Sequence, residues 1–187
     1  MTVIYLRGSA RRGYVTVGVR LSDAEKKYTV PEGAVSLCRG YELSEEEHLE
    51  LVRLDEERRA LDRAASLLAA SDKSRAILRA RLISLGFSRE VADMTVAECV
   101  RLGYLNEERQ LERLILREAE GSLRGPKYIM RKLAAKGYRT EEIRRTISAL
   151  TERGDIDFKA LFARLAEKRG ITDREELLAL AYKYGYK

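Results

Sequence analysis

Two hydrophobic periods divide the chain. Val15, Val17, Val19 and Leu21 alternate with Tyr14, Thr16, Gly18 and Arg20, a period of two that predicts a half-buried strand. Beyond the polar stretch Ser22 to Lys26, Tyr28, Thr29 and Val30 form a second extended run, which Pro31 ends because proline cannot donate to a strand ladder. The two runs read as a hairpin, with Thr2 to Leu6 available as a third strand. So small a sheet needs another element to pack on. From Ser44 onward the period lengthens to that of a helix. Ser44-Glu45-Glu46-Glu47 and Thr172-Asp173-Arg174-Glu175 have the form of capping boxes, and Asp55, Ser74, Ser88, Asn106, Thr140, Asp157 and Thr172 each precede a helical apolar pattern. Gly125-Pro126 supplies a further start, with proline where its missing amide costs nothing. Gly86, Gly103, Gly137, Gly154, Gly170 and Gly185 fall where helices stop.

The glycines expose an internal repeat. At an offset of 51 residues Leu78 meets Ile129, Leu82 meets Leu133, Gly86-Phe87 meets Gly137-Tyr138, Val96 meets Ile147, Cys99 meets Leu150, and Gly103 meets Gly154. Each unit is three helices long. The expected organisation is a β-hairpin element in 1–43, a connecting helix in 44–54, repeat one in 55–103, repeat two in 104–154, and a repeat three in 155–187 that lacks its last helix. The fold class that follows is mainly α, with tandem three-helix repeats forming an elongated, curved body after a small N-terminal β-hairpin. Stacked repeats offer a large surface for their mass and suit binding.

Composition narrows the chemistry. The 187 residues include two cysteines, Cys38 and Cys99, and one histidine, His48. No zinc spacing and no Ser/Cys-His triad can be assembled from these, so neither a catalytic residue, a metal site nor a cofactor is expected. Both thiols are expected to be reduced and buried or half-buried. Tyr104, Leu105 and Tyr138 are expected to be structural. No stretch has the 18 to 20 uncharged apolar residues of a membrane span, roughly the length that crossing requires, and the first dozen residues lack a signal-peptide core. A soluble, cytoplasmic, monomeric protein is expected.

Charge locates a candidate surface. The net charge is +6, and residues 104–154 alone carry 12 basic and 8 acidic side chains. Within them Arg124, Lys127, Arg131, Lys132, Lys136, Arg139, Arg144 and Arg145 face only Glu141 and Glu142. Lys127 and Arg131 share one helix face, as do Lys132 and Lys136, while Ile129 and Leu133 take the core positions. Charge reversal at Lys127, Arg131 and Lys132 is therefore expected to leave the fold intact. The cluster reads either as an ordinary solvated face or as a docking surface for an anionic partner.

The repeat and certain strings resemble the RecX regulatory family, the bacterial modulators of the RecA recombinase. These strings are Gly103-Tyr104-Leu105-Asn106-Glu107-Glu108-Arg109; Gly125-Pro126 followed by Ile129, Leu133 and Lys136-Gly137; and Ser74-Arg75 followed by Leu78 and Leu82. The resemblance covers about residues 44–187. Glu107 replaces the family's usual aspartate, Gln110-Leu111 lies where an aromatic is common, and the last helix is absent. The resemblance implies a non-catalytic regulator that binds the RecA filament on DNA and restrains its ATPase, strand exchange and co-protease activity, thereby limiting recombination and the SOS response. The eight basic residues would supply the attraction, with single- or double-stranded DNA as a further ligand of the same surface. The alternative is a helical-repeat protein whose principal ligand is DNA or RNA itself.

Overall fold

A computed structural model describes residues 1–34 and 36–187. Its order is β1 (Thr2–Gly8), β2 (Tyr14–Arg20), β3 (Glu25–Pro31), α1 (Glu45–Ala70), α2 (Arg75–Ser84), α3 (Arg89–Arg101), α4 (Glu107–Leu116), a π-helical segment (Arg117–Gly121), α5 (Pro126–Ala135), α6 (Thr140–Glu152), α7 (Phe158–Arg169) and α8 (Arg174–Tyr184). The mainly helical class with a small N-terminal sheet is the one the two periods predict. Two compact units divide the chain, one of 1–67 with 81–99 and one of 68–80 with 100–187. The division cuts through the span assigned to repeat one. Positions 51 apart nevertheless share environments: Leu78 and Ile129, Leu82 and Leu133, and Cys99 and Leu150 are all buried.

In the first unit the hairpin gains its third strand, giving an antiparallel sheet in the order β1-β2-β3. Val3, Val17, Val19 and Val30 face Leu51 of α1, which supplies the packing partner the small sheet requires. The register slips between Val3 and Tyr5, a bulge that places Tyr5 opposite Gly18. The first capping box forms: Ser44 N donates to Glu47 Oε2 (2.8 Å) and Glu47 N to Ser44 Oγ (3.2 Å).

Asp55 does not begin a helix, because α1 runs through it without interruption. Its carboxylate turns sideways to the sheet. Asp55 Oδ1 accepts the amide of Thr29 (2.9 Å), and Arg58 Nε donates to the Thr29 carbonyl (3.1 Å). Two side chains of α1 thus occupy edge groups of β3 that another strand would otherwise pair. Arg58 and Arg59 in turn neutralise Asp55, each at 3.1 Å.

The second unit packs α4, α5 and α6 around Leu111, Ile115, Ile129, Leu133, Ile143 and Leu150. A smaller cluster of Leu123, Leu165, Leu180 and Tyr184 joins α7 and α8. Asn106 and Asp157 cap their helices as expected, but α8 is capped by Asp173, which accepts from Glu175 N and Glu176 N, so the box from Thr172 does not form. Arg139, not Thr140, is the N-cap of α6. Two burial expectations are corrected. Cys38 is exposed in the irregular stretch after β3, whereas Cys99 is buried and its thiol is pushed up by desolvation. Tyr104 is 54% exposed, because Leu105 beside it is the residue that enters the core. Tyr138 is buried, donates to Gln110 Oε1 (2.9 Å), and is pushed up to about 12 by burial, with Asp72 and Glu107 adding to it. Among the described residues no helix is long and apolar enough to cross a membrane, and no His/Cys/Asp/Glu group is arranged to hold a metal ion.

Candidate anion-binding surface

The start of α5 is set by a contact with the end of α8. A helix N-terminus leaves amides without internal partners, and a C-terminus leaves carbonyls. Here they meet: Gly125 N donates to Tyr184 O (2.8 Å) and Lys127 N to Gly185 O (2.9 Å). Opposite dipole ends face one another. The approach requires glycine twice. A Cβ on Gly125 would lie 2.5 Å from Gly185 C, and one on Gly185 would lie 2.4 Å from Tyr128 N. Immediately upstream, Leu123 adopts a left-handed backbone (φ 48) with its side chain buried, and its carbonyl accepts from Tyr186 Oη (3.2 Å). The loop feeding Arg124 into the site is therefore strained and pinned.

Around Tyr128 the basic residues separate by role. The Arg124 guanidinium lies 4.3 Å from the Tyr128 ring centroid and 4.5 Å from that of Tyr184, so it is held by two aromatic rings. Arg131 and Lys132 each stand 5.8 Å from the Tyr128 ring. Lys132 also reaches inward. Its Nζ lies 2.7 Å from Oε2 of Glu118, a side chain only 6% exposed on the π-helical segment. The contact is off hydrogen-bond alignment, so Glu118 Oε2 is buried with an ionic partner alone. Lys127 and Arg131 project outward, exposed and without an ion pair among the described residues.

The remaining four residues do not join this group. Lys136 and Arg139 are exposed at the α5–α6 turn, where the Lys136 carbonyl accepts from Ser74 Oγ (2.8 Å). On α6, Arg144 pairs with Glu141 at 2.5 Å. Arg145 lines a groove of about 290 Å³ with Glu107, Glu108, Glu112 and Glu142 on its walls. Arg75 and Arg153 bind two of those carboxylates, at 3.0 Å and 2.9 Å. The sequence cluster thus resolves into an unbalanced cationic face on α5 and a charge-mixed face on α6. Sequence spacing could place Arg124 four residues from Tyr128. It carried no signal for Tyr184 or Glu118, both brought in by tertiary packing.

No protein-family model matches the chain, and no curated protein matches it by sequence. Solved structures do. A crystal structure of regulatory protein RecX superposes with a TM-score of 0.72 at 16% identity, covering 99% of this chain and 92% of that one. RecX from Lactobacillus salivarius superposes with a TM-score of 0.50 at 12% identity, over 71% of this chain and 99% of that one. The chain has the fold of the RecX regulatory proteins.

Proposed function

We propose that this chain is a non-catalytic regulator that binds the RecA–DNA filament and restrains its ATPase, strand exchange and co-protease activity. The observation that carries the reading is the fold likeness to a RecX protein across 99% of the chain. The outer face of α5 supports it: Lys127 and Arg131 are exposed without internal counter-ions, beside a ring that already holds Arg124. Such a face attracts an anionic partner and favours rapid, salt-sensitive encounter. In this reading the chain works as a cytoplasmic monomer, with three-helix repeats as its structural unit.

The test is a titration into RecA on single-stranded DNA with ATP hydrolysis as the readout. Inhibition well below one molecule per RecA protomer is expected, since perturbing a few protomers of a cooperative filament affects their neighbours. Unchanged hydrolysis at equimolar protein, with the chain folded by circular dichroism, would refute the proposal. Association that needs neither RecA nor nucleotide, and that weakens steeply with salt on naked DNA, would instead favour nucleic acid as the principal ligand of the α5 surface.

A further inference from the structure

A second concentration of positive charge lies on the sheet and its turns. Residues 1–31 contain six basic and two acidic side chains, an excess that disappears when they are counted together with the acid-rich start of α1. Strand alternation sorts them by face. With Val3, Val17, Val19 and Val30 turned to the core, the opposite face presents Tyr5, Arg7, Thr16, Arg20, Lys27 and Thr29. Arg7, Arg20 and Lys27 are exposed and have no ion pair among the described residues, although Glu25 sits across from Arg20.

The centre of this face is flat. Tyr5 pairs across the strands with Gly18, and a Cβ on that glycine would fall 2.4 Å from Tyr5 Cε1, so the ring lies where a side chain would stand. The Arg7 guanidinium lies against this ring, 4.7 Å from its centroid. Beside them the Thr16 and Thr29 hydroxyls, 3.3 Å apart, add polar groups of modest height. Three strands give a platform about 10 Å across and about 20 Å long, broader than the helix or two-stranded ribbon that fits a duplex major groove. A guanidinium lying over a ring offers a face on which an unpaired base can stack, and cations around it suit the flanking phosphates.

We propose that the outer face of the sheet is a single-stranded nucleic-acid site, in which a base stacks on the Arg7 guanidinium above Tyr5 and Arg7, Arg20 and Lys27 take the phosphates. The site is built from residues of the first unit alone and does not depend on the RecA reading. An acidic protein would satisfy the charges but offers no base to stack on the Arg7 guanidinium over Tyr5.

The test uses the full chain, no RecA, and a fluorescein-labelled dT20 oligonucleotide. Anisotropy should show binding of dT20 in preference to a 20-base-pair duplex. The Arg7→Gln/Arg20→Gln/Lys27→Gln variant should bind at least tenfold more weakly and lower the slope of log affinity against log salt by about 2, the share of three single-strand phosphate contacts. Lys159→Gln/Lys168→Gln, exposed cations on α7, is the control and should stay within twofold of wild type. The chain has no tryptophan, so Tyr5→Trp installs a lone indole reporter whose emission should be quenched by dT20. Wild-type affinity in the triple variant, unchanged indole emission from the Tyr5→Trp variant while anisotropy reports binding, or displacement of dT20 by polyglutamate of equal charge would each overturn the proposal.

Discussion

At the scale of the residue, one buried carboxylate changes how the basic cluster is to be understood. Lys132 belongs with Lys127 and Arg131 by sequence, yet its ammonium is the ionic partner of the enclosed Glu118. Reversal at Lys132 would set two carboxylates against each other, so the expectation that reversing all three lysine and arginine positions leaves the fold intact fails at this one. Lys132→Met should destabilise the second unit by roughly 1–3 kcal/mol, below the cost for a fully enclosed pair because Lys132 is partly solvated. Urea unfolding measures this, and Glu118→Leu on the Lys132→Met background should recover most of the loss. His48 gives the first unit a pH dependence near neutrality. Its Nε2 lies 2.8 Å from Tyr28 Oη, and burial, with Lys26 and the N-terminal amine adding repulsion, lowers its affinity for a proton. A lowered folded value means the unfolded chain binds more protons. Stability should therefore be complete above the ordinary histidine range near pH 6.5 and fall as pH drops below it, levelling once the folded imidazole also protonates. Urea midpoints at pH 7.5 and 5.5 should differ for wild type. They should differ less for His48→Gln, since the chain has no other histidine.

At the scale of the element, the joint between α8 and α5 carries more structure than its few residues suggest. Gly170 and Gly185 both end helices with positive φ, +66 and +81, but a Cβ at Gly170 meets nothing within 4 Å whereas one at Gly185 would meet Tyr128 N at 2.4 Å. The two alanine variants separate backbone strain from collision. Gly170→Ala should cost about 1 kcal/mol and Gly185→Ala about 2–3 kcal/mol, read from thermal or urea unfolding. Equal losses would mean that the helix-end joint adds nothing to unit stability. The same contrast marks how far the sequence could be read. The residue pattern found the glycines that follow α2, α3, α5, α6, α7 and α8, the sheet, and buried positions such as Ile129 and Leu133, because local hydrogen bonding and burial impose those patterns on neighbouring residues. It could not separate Gly185 from Gly170, since what distinguishes them is a backbone 57 residues away in the chain. Asp55 misleads for a related reason: a carboxylate ahead of a helical pattern looks like a cap, and only the strand lying beside it makes it an edge cover. Of the eight basic positions, sequence could group Lys127 with Arg131. It could not foresee Arg124 between two rings or Arg145 among glutamates.

At the scale of the whole molecule, a net charge of +6 is less informative than its placement. Averaged over residues 1–54 the charge is zero, which conceals a basic sheet face followed by an acidic helix start. The α6 cations are largely answered by carboxylates, so the unbalanced charge of the eight-residue basic cluster lies on Lys127 and Arg131 of α5, together with Lys136 and Arg139 at the turn. This selects the decisive variant. Lys127→Glu/Arg131→Glu moves the local charge by four units while leaving Glu118, Ile129 and Leu133 undisturbed, so circular dichroism and the unfolding midpoint should match wild type. If α5 is the contact with a RecA–DNA filament, inhibition of ATP hydrolysis should require at least tenfold more of this variant, and the deficit should shrink as salt rises and screens the encounter. Glu45→Lys/Glu46→Lys changes charge by the same amount at the start of α1, sparing Glu47, which accepts from Ser44 N and Tyr41 Oη. That variant loses a little helix stability at a terminus that favours acids, but its inhibition should equal wild type. Equal inhibition by wild type and the α5 variant at low and high salt would make Lys127 and Arg131 an ordinary solvated face, and the inhibition would then have to come from another surface of the chain.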